Sequence, residues 1–256
     1  MEPLWLVRAG TVPYRRAWAW QRALVERRAA GEIPDTALLL EHPHVYTIGK
    51  RGSGADVLAS PEWLAAQGAE VVRSDRGGQV TYHGPGQLVG YPVTRLDPEP
   101  DVWRFVRRVE DAMVAVAADF GLEARGESGL LTGVWVEDAK LVAIGMRVSR
   151  GVTSHGFALN CATDLAKFAA IVPCGMPDRA ACSLSSALGR TVTVADALPV
   201  VERRLAEALD RAPVEVDAAT LDLPATDHPP EPDFAPHPLR LASSASGLPA
   251  PETTNA

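Results

Sequence analysis

The chain has 256 residues, 46% of them hydrophobic and 22% charged, which is enough to bury one substantial core and favours a single domain with a tail. A formal net charge of −7 with no basic stripe excludes a general nucleic-acid binder. No apolar run approaches the ~20 residues that cross a bilayer, residues 1–10 lack a charged start before an apolar segment, and the three cysteines include no CxxC pair. The expectation is a soluble cytoplasmic protein with free thiols, no membrane contact, no disulfide framework and no thiolate metal site.

A strand is expected at 4–8. Tyr14, Ala17, Trp18, Gln21, Leu24 and Val25 then recur at helical spacing, from a Pro13 that a first turn tolerates to a Gly31 that stops the run. Residues 37–40 and 45–48 read as strands around the bend Glu41-His42-Pro43-His44. His42 and His44, spaced by a proline with no third ligand, read as surface imidazoles rather than a metal site. The exposed loop 49–54 contains a Gly-Lys pair. His44 stands where a P-loop needs its first glycine and no Ser or Thr follows Lys50, so nucleotide binding is rejected there.

From Val102, the residues Phe105, Val106, Val109, Met113, Val116, Ala117 and Phe120 form a helical apolar stripe. Residues 130–136, 141–148 and 152–160 read as a strand meander turning at Glu137-Asp138 and Arg150-Gly151. A last helix opens at Thr193, with Asp196 completing an acidic capping box, and buries Leu198, Val201, Leu205 and Leu209. Strand runs segregate from helices, so the fold class is α+β, a mixed β-sheet with flanking helices. Residues 1–222 form the expected domain. Residues 223–256, rich in proline and then small and polar, form a tail expected to be disordered.

The most informative run is 76–91, RGGQVTYHGPGQLVGY. Its glycines allow sharp turns and close approach, 79–82 still reads as a short strand, and Arg76, Gln79, Thr81, Tyr82, His83 and Gln87 are too polar for core packing alone. It reads as a binding loop. Position by position, Arg76, Gly77, Gly78, Thr81, Tyr82, His83, Gly86, Gln87 and Tyr91 resemble the signature of the LipB family, the octanoyl-carrier-protein:protein octanoyltransferases or lipoyl(octanoyl) transferases. The resemblance spans roughly 4–212 and implies the α+β fold shared by biotin and lipoate protein ligases. The tail has no counterpart in it.

Taken alone, Cys174 in Ile171-Val172-Pro173-Cys174-Gly175 reads as a small apolar residue before a tight turn, and Lys140 as an exposed lysine after Asp138-Ala139. The resemblance implies instead that Cys174 is the acyl acceptor and Lys140 its partner. A thiol with a pKa of about 8.5 is only slightly ionised at neutral pH, so a nucleophile needs a base or cation nearby. Cys161 and Cys182 read as structural.

The resemblance also places acyl binding on Arg76, Gly77, Gly78 and Gln79, on Val80, Thr81, Tyr82 and His83, on Ala143, Ile144 and Gly145, and on Gly156, Phe157 and Ala158. Alternation agrees: Val142, Ile144, Met146 and Val148 make one apolar face, whereas Ala143 and Gly145 leave the other bare, and a straight acyl chain is expected in that slot. Burying the methylenes of an octanoyl chain contributes on the order of 5 kcal/mol. His83 and the amides near Gly77 and Gly78 are expected to polarise the acyl carbonyl, and Arg147 and Arg150 to meet an acidic carrier protein.

The implied reaction is ping-pong transfer of octanoyl from octanoyl-acyl carrier protein, through a Cys174 thioester, to a lysine of lipoyl domains of 2-oxoacid dehydrogenases or glycine cleavage H protein. No cofactor is expected beyond the phosphopantetheine of the carrier. The rivals are an ATP-dependent lipoate or biotin ligase, which does not need Cys174, and a non-catalytic acyl- or lipoyl-domain-binding protein.

Overall fold

The computed structural model describes residues 1–96, 101–127, 129, 132–172 and 180–226. In chain order, β1 (Pro3–Thr11) leads into α1 (Tyr14–Ala29), followed by β2 (Asp35–Glu41), β3 (Val45–Ile48), α2 (Pro61–Ala66), β4 (Glu70–Arg73), β5 (Val80–His83) and β6 (Gln87–Val93). Then come α3 (Val102–Asp119), β7 (Arg125–Glu127), β8 (Gly133–Val136), β9 (Ala139–Ser149), β10 (Val152–Asn160), α4 (Leu184–Leu188), α5 (Val194–Leu209) and β11 (Ala212–Glu215). The strands form an eight-stranded sheet in the order β11-β1-β2-β6-β10-β9-β8-β7 and a three-stranded sheet in the order β4-β3-β5. Parallel and antiparallel pairs mix in both, and the class is α+β.

The large sheet is covered on both faces. Leu38 and Leu40 of β2 join Val89, Tyr91 and Val93 of β6 under α1, while Ala37, Leu39 and Leu88 turn the other way, toward α3 and α5. Burial on both sides explains why β2 reads as an unbroken apolar run. The expected stripes of α1 and α3 are buried apart from the half-buried Phe120, and so are two polar residues of these helices, Gln21 and Glu110. The capping box of α5 forms as expected: Thr193 Oγ1 accepts from Asp196 N, and Thr193 N donates to the Asp196 carboxylate. Leu198 is only half-buried.

The glycine-rich run 76–91 is less a loop than a corner between sheets. β5 belongs to the small sheet and β6 to the centre of the large one, joined across Gly84-Pro85-Gly86. Gly86 has φ +80°, and a Cβ there would lie 2.6 Å from Ala162 O, so both backbone conformation and space require glycine. The two sheets therefore diverge at this corner and enclose the space described next.

At the C-terminal end, the described chain runs past the expected boundary at 222. Leu223 packs on the core beneath α1, and Pro224 O accepts from Trp20 Nε1 at 2.9 Å, so the first residues of the expected tail are docked. Residues 227–256 lie outside the described residues.

Candidate active site

A cavity of about 470 Å³ opens between the two sheets. Arg76, Gly78, Gln79, Val80, Thr81 and His83 line it from the small-sheet side, and Ala143, Ile144, Gly145, Gly156, Phe157 and Ala158 from β9 and β10. Lys140 lines it as well. Of the expected acyl-binding residues, Gly77 and Tyr82 are not among its walls. Tyr82 faces the other side of β5, where its ring packs near Tyr46 and Phe168 and its hydroxyl meets His44 Nδ1 at 2.7 Å.

The bare face expected at Gly145 is filled by backbone. A Cβ on Gly145 would lie 2.7 Å from Gly77 O, and Gly77 N donates to Met146 O at 3.1 Å, so the missing side chain here admits the 76–78 segment. Gly156 is likewise closed by Gly90 O, 2.1 Å from its hypothetical Cβ. Ala143 and Ala158, opposite one another in the β9–β10 register, supply the small side chains of the wall.

Arg76 is 7% exposed and spends its guanidinium on the protein: Nε and Nη2 donate to Thr47 Oγ1, Nη2 to Thr47 O, and Nη1 to Gly77 O. It locks the corner to β3. His83 is buried, and its proton can be assigned from its neighbours. Gln87 Nε2 donates to Tyr82 O and to Asn160 Oδ1, so Gln87 Oε1 must accept, and His83 Nδ1 donates to it at 2.7 Å. Burial holds the ring's pKa well below its ordinary value, which leaves Nε2 an acceptor. His83 therefore cannot donate to an acyl carbonyl through that nitrogen, and the Gly77 amide is already engaged with Met146. The expected polarising roles of His83 Nε2 and of the Gly77 amide are corrected.

Lys140 opens β9. Its backbone N donates to Ala180 O and its O accepts from Cys182 N, which aligns residues 180–182 alongside the strand. Its Nζ lies 3.3 Å from Thr132 O and 4.8 Å from the centre of the Trp135 ring. Asn160 Nδ2 donates to Cys182 O, so one chain of hydrogen bonds runs from His83 through Gln87 and Asn160 to the segment that Lys140 holds. Cys174 lies within 173–179, outside the described residues. The described residues on either side, Ile171 and Val172 before and Ala180 and Ala181 after, all line the cavity.

The other cysteines are buried. Burial pushes the Cys161 thiol up to about 12 and the Cys182 thiol up to about 11, which keeps both protonated near neutrality. Arg147 and Arg150 are not free surface cations. Arg147 pairs with Asp75, which is 2% exposed and also accepts from His155 Nε2 at 2.7 Å, while Arg150 pairs with Glu26. His42 is fully buried instead of exposed: its Nδ1 donates to Val12 O at 2.6 Å, Tyr91 OH donates to its Nε2 at 2.7 Å, and burial lowers its pKa to about 4. Among the described residues no group of three or more His, Cys, Asp or Glu could hold a metal, and no helix is long and apolar enough to cross a membrane.

Sequence reasoning missed Asn160, Asp75, Thr47, Trp135 and Tyr14 as parts of this site. A polar residue ending the apolar run 157–159 was the available signal for Asn160. Nothing local marks the others.

The family described as the lipoyl protein ligase A/B catalytic domain matches residues 13–206. The octanoyltransferase of Acidothermus cellulolyticus is 50% identical over 221 residues, covering 82% of this chain and 96% of that protein. The octanoyltransferase of Salinispora tropica is 52% identical over 208 residues, 79% of this chain and 94% of that protein. The chain belongs to the octanoyltransferase family. Membership makes this octanoyltransferase-family chain an acyltransferase. A lipoate-protein ligase A bound with ATP superposes with a TM-score of 0.71 at 20% identity, covering 85% of this chain and 89% of that one. The lipoate protein ligase of T. acidophilum gives 0.70 at 19% identity, covering 85% and 89%.

Proposed function

We propose that this protein transfers octanoyl from octanoyl-acyl carrier protein to a lysine of lipoyl domains, through a thioester on Cys174 activated by Lys140. The observation that carries this reading is convergence. Lys140, the residues flanking 173–179 on both sides and the small-residue wall Ala143–Ala158 border one cavity, and Cys174 follows the cavity residue Val172 by two positions.

In the first half-reaction, Lys140 takes the thiol proton, the Cys174 sulfur attacks the donor thioester carbon, and the carrier's phosphopantetheine thiolate leaves and receives that proton. In the second, the acceptor lysine amine attacks the Cys174 thioester, loses a proton to Lys140 and becomes an amide, while the departing Cys174 thiolate takes that proton from Lys140 and is a thiol again. Thioester to amide runs downhill, so neither ATP nor a cofactor enters. The acceptors are lipoyl domains of 2-oxoacid dehydrogenases and of glycine cleavage H protein, and the setting is the cytoplasm. A lipoyl domain as partner accords with a structural neighbour, a bipartite lipoate protein ligase described with its E2 lipoyl domain.

Mass spectrometry of the intact protein after mixing with octanoyl-acyl carrier protein tests the thioester. One octanoyl adduct, labile to hydroxylamine and absent from Cys174→Ser, is expected. Product formation from free octanoate and ATP, with Cys174→Ser still active, would refute the mechanism in favour of a ligase.

A further inference from the structure

The far end of the cavity is polar. Tyr14 and His155 line it, and they belong to a closed ring of aromatic neighbours: Tyr14–Trp18 at 6.3 Å, Trp18–His155 at 6.2 Å, His155–Tyr91 at 6.3 Å, Tyr91–His42 at 5.9 Å and His42–Tyr14 at 5.3 Å. Within this nest, polar atoms on side chains at most 2% exposed have no hydrogen-bond partner: Tyr14 Oη, Ser74 Oγ, Gln21 Nε2 and His155 Nδ1. Ser74 Oγ is the polar neighbour of Tyr14 Oη, outside full hydrogen-bond geometry. The Gln21 amide is fixed in orientation because its oxygen accepts from His155 N at 2.6 Å. The His155 ring donates from Nε2 to Asp75, and burial lowers its pKa to about 3, so Nδ1 presents a bare lone pair. At the cavity wall Tyr14 thus offers a hydroxyl and His155 an acceptor, with Gln21 fixed against the His155 backbone. Leaving such groups unsatisfied costs free energy whenever an apolar group occupies the space beside them.

Register sets where this end lies. Ala158 is opposite Ala143 and His155 opposite Met146, with Lys140 at the other end of β9. Three residues of strand, about 10 Å, separate Ala158 from His155. An extended eight-carbon chain spans roughly 9 Å, because each bond of about 1.5 Å advances the zigzag by only about 1.25 Å. Beyond Gly145, the next β9 residue on the same face is Arg147, which is turned into its ion pair with Asp75 and does not line the cavity.

We infer that Tyr14 and His155 form a polar stop, a subsite for a neutral hydroxyl that water fills when octanoyl is bound and that a longer methyl-ended chain must displace without replacing its hydrogen bonds. This assigns the upper limit on chain length to hydrogen bonding rather than to bulk. It rests on the acyl-transfer reading above.

The test uses two donors of equal length, the nonanoyl and 8-hydroxyoctanoyl thioesters of acyl carrier protein, which differ only in a terminal methyl or hydroxyl. A dry apolar end would disfavour the hydroxyl by roughly thirtyfold or more. The polar stop requires the wild-type kcat/KM for 8-hydroxyoctanoyl to equal or exceed that for nonanoyl, and a preference for nonanoyl overturns it. Tyr14→Phe keeps the ring and removes the hydroxyl, so the ratio should fall about fivefold toward nonanoyl; an unchanged ratio in the folded variant also overturns it. If that variant does not fold, the wild-type comparison decides alone. Octanoyl transfer together with a nonanoyl preference defeats only the stop, whereas failure to transfer octanoyl defeats the transfer reading with it.

Discussion

Gly145 shows how a single residue is misread when its neighbours are unknown. Alternation along 140–148 correctly separates two faces, but the empty face is occupied by a backbone carbonyl brought from 68 positions earlier in the chain, Gly77 O. Gly145→Ala should therefore displace the 76–78 segment. The expected cost is about 1–3 kcal/mol of stability from overpacking, read by urea denaturation, with a raised KM for the acyl donor because Arg76 and Gly78 move with the segment. His83 carries a similar lesson. Its chemistry is decided by Gln87 four residues on and Asn160 far along the chain, which together fix the proton on Nδ1.

Elements with strong periodicity were legible. α1, α3, α5 and the β8–β9–β10 meander follow from apolar spacing, and the positive-φ residues Glu137 and Arg150 occupy the two meander turns where they were expected. β6 was not, because the run 76–91 read as a binding loop with Gly90 among the glycines that let it turn. Gly90 is in fact a central-strand position where the Phe157 ring lies so close that a Cβ would be 2.2 Å from it. α2, β4 and β11 are short and carry little pattern. The cap of α5 offers a clean element-level test. Thr193→Ala removes the acceptor for Asp196 N and should cost about 1 kcal/mol, seen as a lower Tm, with octanoyl transfer unchanged because α5 packs on the face opposite α1.

Across the whole molecule, three buried histidines make stability depend on pH. His42 is lowered to about 4, His155 to about 3 and His83 well below its ordinary value, in each case chiefly by burial. In the unfolded chain each would titrate near ~6.5. Between that value and the folded one the unfolded state binds more protons, so stability is present above ~6.5 and is lost as pH falls toward 4, by about 1.4 kcal/mol per pH unit for each histidine. Urea midpoints measured at pH 7.5 and pH 5 should fall accordingly at the lower pH. A triple substitution of these histidines by neutral residues, if folded, should flatten the slope.

The sequence by itself determined the α+β class, the long elements, the glycine-rich run at 76–91 and the likeness to octanoyltransferases, because periodicity, glycine placement and contiguous motifs are local properties of a chain. Only the tertiary structure decided that Lys140, Ala143, Ala158 and the residues flanking 173–179 share one cavity, that Arg147 is held by Asp75, and that Tyr14 and His155 close the far end. Those facts depend on strand order and register. Pairing between β6, β10 and β9 sets segments more than 60 residues apart side by side, and no local signal encodes which of them meet.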